Sequence, residues 1–417
     1  MLDTCSADDP TTCINHQSSR YTISSCTSHI NPNNAVVVAN LGSQTPETTN
    51  TFGGQYMVYE RYDVPLSGNR ALPAENIIEV YFCPSLGCAK SITQNHASAI
   101  VQNGYWPSFG FVALALGSRM PIIGYVAVQG ESGNLPSDHH TGQLFVTICS
   151  TSSCDGVEMP YKVLLDTCVD PSNSGGVPLC AGVSLTISNG NPLILYTGPS
   201  SELKGMSLKM LACTDRKCST SPQPADIVQV SSDFAPVVTN AVITTRSNGY
   251  PVFVFTSPAN GELVLTLCST YTCSEQTSNV IKSGLLGVVN SDAHIAIGPN
   301  GIPYIVYVRD VRLNTSVQNA IMIFHCLSES CSTWSEPELI VESDSLGRYR
   351  APKVTPTASD VIVNFRDSVD HRDLMIVCSN TTCSPQDRAS IQTLPTDWAP
   401  GACSALNGSI AHLFASP

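Results

Sequence analysis

The stretch that decides the fold runs Val242-Ile-Thr-Thr-Arg-Ser-Asn-Gly-Tyr-Pro-Val-Phe-Val-Phe255, then Leu263-Val-Leu-Thr-Leu267, then Cys268-Ser-Thr-Tyr-Thr-Cys273. Two β-forming runs flank an Asn-Gly-x-Pro turn. Glycine supplies the positive φ such a turn needs, and proline is tolerated at the start of the returning strand. The third run then leads into a four-residue polar loop bracketed by cysteines, which reads as a second hairpin with a disulfide placed to staple it. Two hairpins in series make four strands, the unit of a β-propeller blade.

The pattern repeats along the chain. Cys83–Cys88, Cys149–Cys154, Cys213–Cys218, Cys326–Cys331 and Cys378–Cys383 share the C-x4-C spacing, recurring at intervals of roughly 50 to 65 residues, as in a repeat architecture. Each staple follows a short apolar strand, such as Leu144-Phe-Val-Thr-Ile148, Ile321-Met-Ile-Phe-His325 or Leu374-Met-Ile-Val377. Upstream hairpins recur at Leu185–Tyr196 and Ile295–Tyr307. The six evident units take residues 27–95, 96–167, 168–230, 231–283, 284–343 and 344–395. A seventh is expected from the two chain ends, 396–417 supplying the first hairpin and 1–26 the stapled one, because pairing them leaves no free sheet edge. The expectation is an all-β, single-domain, seven-bladed propeller over residues 1–417, with six blades as the alternative.

Eighteen cysteines in an even, regular pattern imply a disulfide framework formed in an oxidising compartment. Besides the C-x4-C staples, Cys5 is expected to pair with Cys13 and Cys168 with Cys180, which leaves Cys26 for Cys403. Structural zinc sites favour C-x2-C with matching partners, so zinc is not expected. The net charge of −13 and the lack of a basic run argue against nucleic acid, whose phosphates need clustered Lys and Arg. No apolar run reaches membrane-spanning length. The start Met1-Leu-Asp-Thr-Cys5 reads as a mature N-terminus behind an added or retained Met, and Asn314, Asn380 and Asn407 head N-glycosylation sequons. An extracellular protein is expected, partnered by a glycan or another extracellular protein. No cofactor is expected, a structural calcium ion aside.

The stapled hairpin resembles the Asp box, Ser-x-Asp-x-Gly-x-Thr-Trp, of sialidase-type (BNR-repeat) propellers. Leu327-Ser-Glu-Ser-Cys-Ser-Thr-Trp334 aligns with it, placing Glu329 at the Asp, Cys331 at the Gly, and keeping Thr333-Trp334. The resemblance implies a propeller with strands three and four joined at this turn. Sialidases also carry three arginines, a Tyr/Glu pair and an acidic Asp, but the Arg-Ile-Pro segment for the first arginine is missing, and this departure speaks against sialidase activity.

Chemistry concentrates in the loops after each second strand and between blades. These carry Glu60-Arg61-Tyr62-Asp63, Asp138-His139-His140, Arg309-Asp310 with Arg312, and Arg366-Asp367 with Asp370-His371-Arg372. Trp106, Phe234, Tyr349 and Trp398 each stand one or more residues before a proline at the start of an innermost strand. They read as packing wedges between blades or as stacking platforms for sugars. Asp292-Ala-His294 takes the corresponding position in the fifth blade. Ligand contacts are therefore expected from Arg61, Asp63, Trp106, His140, Arg309, Arg366, His371 and Trp398. The weak catalytic candidates are His139 or His140 as base with Tyr196 as acid, and Arg61, as in a polysaccharide lyase. The leading reading is a lectin-like ligand-binding or structural module, and the alternative is a glycan-active enzyme, lyase or sialidase-like glycosidase.

Overall fold

The computed structural model describes residues 37–40, 55–63, 75–83, 93–96, 105–117, 120–129, 142–148, 161–168, 181–200, 205–220, 223–231, 241–257, 261–282, 288–298, 300–313, 316–356, 360–370, 372–380, 382–389 and 391–393. These form six four-stranded antiparallel sheets, each an up-and-down meander whose strands pair in chain order. Serial meanders of this kind are propeller blades, and the chain is an all-β protein of that class. The seventh, closing blade falls on residues outside those described.

By contacts the chain divides into two compact units, one of Met1–Val183, Cys213–Ser221 and Pro395–Pro417, the other of Ser184–Ala212 and Pro222–Leu394. The first holds β1 (Val37–Asn40), β2 (Gln55–Asp63), β3 (Glu75–Cys83) and β4 (Thr93–His96), then β5 (Tyr105–Gly117), β6 (Met120–Gln129), β7 (Gly142–Ile148) and β8 (Tyr161–Cys168). In its second sheet Tyr125 of β6 stacks on Phe145 of β7 with centroids 5.5 Å apart.

The second unit holds most of β9 (Ala181–Ser188), then β10 (Asn191–Pro199), β11 (Met206–Ala212) and β12 (Ala225–Ser231). The fourth sheet is β13 (Val242–Thr245), β14 (Pro251–Thr256), β15 (Leu263–Cys268) and β16 (Gln276–Lys282). The fifth is β17 (Val288–Ile297), β18 (Pro303–Leu313), β19 (Ser316–His325) and β20 (Glu338–Ser343). The sixth is β21 (Tyr349–Pro356), β22 (Val361–Asp367), β23 (Arg372–Cys378) and β24 (Gln392–Thr393).

Successive residues of the central strands bury against opposite neighbours. Ile305 and Tyr307 of β18 join Val252 and Val254 of β14 in one core, whereas Tyr304, Val306 and Val308 join Val361, Val363 and Phe365 of β22 in the next. With both faces covered, a strand reads as a continuous apolar run. That is why Pro303-Tyr-Ile-Val-Tyr-Val308 shows no alternation.

The turns between first and second strands take two forms. Asn189-Gly190 is a two-residue turn with both residues at positive φ, 51° and 81°. At Gly249 and Gly301 the loop is longer. The glycine amide donates back to Arg246 or Gly298, 2.9 Å in each case, and the glycine alone is left-handed. Asn248 and Asn300 hold these loops by accepting from the amides of Tyr250 and Ile302.

The stapled turns are near copies of one another. Disulfides close Cys213–Cys218, Cys268–Cys273, Cys326–Cys331 and Cys378–Cys383 with Cα separations of 5.0, 4.7, 4.9 and 4.9 Å. Cys168 is also disulfide-bonded, and no free cysteine occurs among the described residues. Cys5, Cys13, Cys26, Cys88, Cys149, Cys154, Cys180 and Cys403 lie outside them. The second cysteine of every staple is left-handed, with φ of 49°, 54°, 49° and 55° at Cys218, Cys273, Cys331 and Cys383. This conformation is the one a glycine adopts without strain, so setting Cys331 against the Asp-box glycine has a conformational basis.

Glu329 does not take the role the Asp-box alignment gave it. The side chain that caps the turn stands two residues after the first cysteine. Asp215 accepts from the amides of Lys217 and Ser219, Thr270 from Ser274, and Asn380 from Thr382 and Cys383. Glu329 stands three residues after its cysteine and reaches Ser247 Oγ at 2.8 Å, in the preceding sheet. A carboxylate on a longer stem suits that bridge better than a local cap.

Candidate functional site

The innermost strands of the fifth and sixth sheets share an irregularity. The β17–β18 register slips between Ser291 and His294, and the β21–β22 register between Arg350 and Lys353. At each slip one non-glycine residue is left-handed, Asp292 at 46° and Ala351 at 48°. Bulges of this kind bend a strand and re-aim its side chains, and they collect at functional sites. The two are joined, since the Ala351 amide donates to Asp292 Oδ2 at 3.4 Å. One step further along, the Val354 amide donates to His294 Nδ1 at 3.4 Å. An innermost strand exposes one edge of unpaired amides. Here side-chain acceptors from the preceding sheet satisfy them, as Ser184 Oγ does for Ile243 at 3.1 Å. Burial, reinforced by the nearby Lys353 charge, pushes the His294 pKa down to about 3. The imidazole is neutral, with Nδ1 free to accept.

Beside the second bulge, two loops meet through the Ser368 amide, which donates to the Arg348 carbonyl at 2.6 Å. Arg348 brings Nε to 2.9 Å and Nη2 to 2.8 Å of Asp367 Oδ2, and Nη2 to 3.1 Å of Asp370. Its guanidinium also lies over the Tyr349 ring, 5.5 Å from the centroid. Asp367 is 3% exposed. Burial would raise its pKa, but the Arg348 hydrogen bond and the amides of Asp370 and Val369 outweigh burial and hold it below the ordinary carboxylate range. The pair is a fixed, ionised strut.

Tyr349 is itself held by Asn319, which is fully buried. Asn319 Oδ1 accepts from the Tyr349 amide at 2.6 Å, while Nδ2 donates to the Tyr349 carbonyl at 3.3 Å and to Asp310 Oδ1 at 2.8 Å. The Tyr349 ring packs edge-on against Phe365 and is 7% exposed. At this position the recurring aromatic is a packing wedge.

Of the residues expected to contact ligand, Arg309 and Arg366 stand at the loop-bearing ends of β18 and β22, and Arg309 is exposed. Arg61 and Asp63 close β2, paired in register with Ile77 and Glu75, and Trp106 lies in β5 opposite Val128. His139, His140, His371 and Trp398 lie outside the described residues. Tyr196 is fully buried in the middle of β10, opposite Lys209. Sequence reasoning missed Asn319 and Arg348 as organisers of the site, and marked Asp292 only by its position in the fifth blade. Nothing in a local window marks Asn319, because its partner is 30 residues away.

Asn380, of the second sequon, lies in a staple turn with its amide nitrogen on Asp387 and its oxygen on the amides of Thr382 and Cys383. Asn314 and Asn407 lie outside the described residues. Among the described residues no group of three or more His, Cys, Asp or Glu is placed to hold a metal ion, and no helix is long and apolar enough to cross a membrane.

No family model matches the chain, and no curated protein matches it by sequence. Among solved structures it is similar to a protein of unknown function from Dyadobacter fermentans, at 12% identity over 71% of this chain and 85% of that one, TM-score 0.45. It is also similar to Penicillium chrysogenum α-L-arabinanase complexed with arabinobiose, at 9% identity over 72% and 86%, TM-score 0.44. A third is Cellvibrio cellulosa α-L-arabinanase complexed with arabinohexaose, at 8% identity over 84% and 92%, TM-score 0.35. Values this low describe a loose likeness of strand arrangement.

Proposed function

We propose that this chain is an extracellular, glycan-recognising propeller that takes its ligand at the loop-bearing ends of the fifth and sixth sheets. The observation that carries the reading is the pair of joined bulges at Asp292 and Ala351, set beside a braced group of arginines. Sugars are recognised by rigid, convergent polar groups that need no reordering on binding. The Arg348–Asp367 strut and the Asn319 clamp supply that rigidity, and Arg309, Arg312 and Arg350 are exposed around them. The disulfide staples fit an oxidising compartment, where N-glycosylation of Asn314, Asn380 and Asn407 belongs to the same proposal.

One observation favours a second reading, a lyase or glycosidase. Asp292, a carboxylate held in a strained conformation, shares β17 with His294, and strained backbone clusters at catalytic sites. A glycan array run beside a polysaccharide-degradation panel separates the two. Binding without turnover supports recognition, and turnover lost in Asp292→Asn supports the enzyme. Silence in both assays overturns the glycan reading altogether.

A further inference from the structure

Arg350 of β21 and Arg366 of β22 stand directly opposite each other in the sixth sheet. Val361, Val363 and Phe365 of β22 face the fifth sheet, so alternation turns Asn364 and Arg366 the other way. Opposed residues on paired strands carry their Cβ atoms about 5 Å apart, and like charges in that relation repel. A carboxylate partner is missing for both arginines among the described residues. Arg350 Nε donates only to the Gly347 carbonyl at 3.0 Å. One terminal nitrogen of Arg366, Nη2, is buried without a hydrogen-bond partner, as is Oδ1 of Asn364 two residues away. Asp373 stands in register with Arg366 on β23. Arg348, a few residues off, shows the contrast: its Nε and Nη2 are paired with Asp367 and Asp370.

Two arginines opposed in strand register, one with a buried unpaired nitrogen, beside a buried unpaired acceptor, form an incomplete hydrogen-bond set. What completes it is a planar or tetrahedral oxyanion that can take both forks, carried on a skeleton with a hydroxyl to give to Asn364. We propose that Arg350 and Arg366 form an anion site that binds the carboxylate or sulfate of an acidic sugar residue, with Asn364 accepting a neighbouring hydroxyl. This inference rests on the glycan reading above and names its ligand class.

The test is calorimetric titration of the full chain with oligogalacturonate, a sulfated oligosaccharide, a neutral arabino-oligosaccharide and sodium sulfate. Wild type is compared with Arg350→Gln, Arg366→Gln and, as a control on a stapled turn, Lys217→Ala. Charged oligosaccharides are expected to bind, with affinity falling about tenfold or more in each arginine variant, the loss of a charge-assisted hydrogen bond, and staying unchanged in Lys217→Ala. The two charged oligosaccharides distinguish carboxylate from sulfate. Binding of sodium sulfate that both arginine variants abolish, with no oligosaccharide bound, keeps the anion site and overturns the glycan reading. Neutral and charged oligosaccharides bound equally by all variants would keep the glycan reading and overturn the anion site. Arg350 is exposed, so Arg350→Gln decides the matter even if Arg366→Gln fails to fold.

Discussion

The two ends of the sheets in the second unit are built by different means. At the stapled end the turns repeat one device three times: a disulfide, a left-handed second cysteine and a turn bond made within the loop, as from Cys273 to Thr270 at 3.1 Å. The bonds that shape each turn are local, and Glu329 adds a bridge to Ser247 in the preceding sheet. At the loop-bearing end of the fifth and sixth sheets the ordering bonds reach far along the chain. Arg348 meets Asp367 across 19 residues, Tyr349 meets Asn319 across 30, and His294 meets Val354 across 60. Local closure gives a rigid, repeated floor. Distant closure lets each sheet vary its loops while the floor stays fixed, which is how a repeated scaffold acquires specificity.

The largest effect expected from this contrast lies at Asn319. Replacing it with leucine strands the Tyr349 amide and carbonyl and Asp310 in a buried setting, at about 3 kcal/mol or more. Urea denaturation measures it directly. A loss below about 1 kcal/mol would mean that Asn319 is a bystander and that the loop end is held by packing alone.

The same contrast explains what could be read from sequence. The staples and Asn-Gly turns announce themselves because their reasons are local: a cysteine spacing, a glycine for a left-handed residue, an Asn for the next amide but one. The sheets followed from these, together with the β-branched runs. The site did not. Arg366 and Asp367 stood out only as charges at a strand end. That Asp367 is consumed by Arg348 while Arg366 is left unpaired depends on strand register and on a loop from the next turn of chain. Glu329 misled because aligning the Asp box placed it one residue beyond the capping position.

A smaller effect is expected at the stapled end. Closing a loop of this size is worth about 2 kcal/mol in chain entropy, so Cys326→Ala with Cys331→Ala should lose about that much. Cys326→Ala with Cys331→Gly should lose less, because only glycine takes φ near 49° without strain. Melting curves of the two double variants test the ordering. If the alanine version is the more stable, the left-handed cysteine is not what makes the four turns alike.

The last comparison is between two histidines, and it depends on pH. His294, on the innermost strand, is held neutral with its pKa at about 3, by burial first and by Lys353 second. His325, at the stapled end, is half-buried and stacked on Tyr304, and burial alone lowers its pKa. A depressed histidine binds no proton in the folded state at a pH where the unfolded chain does. Its contribution is therefore fully present above the unfolded value, near 6.5, and is lost as pH falls from there toward 3 for His294. The slope contributed by one such group is at most about 1.4 kcal/mol per pH unit. Asp367 works lower down, since its depressed pKa contributes stability that is lost only as pH falls below the ordinary carboxylate range. Between pH values of about 6.5 and 4.5, where the histidines titrate in the unfolded chain, stability curves should thus separate the histidines from that strut. His294→Gln keeps an acceptor for the Val354 amide and removes the titration, so it should flatten the acid limb measurably. His325→Gln should flatten it less. Equal flattening would show that His294 is no more confined by its neighbouring strand than a stacked ring at the stapled end, and the bridge between the bulged strands would lose its claim to order the site.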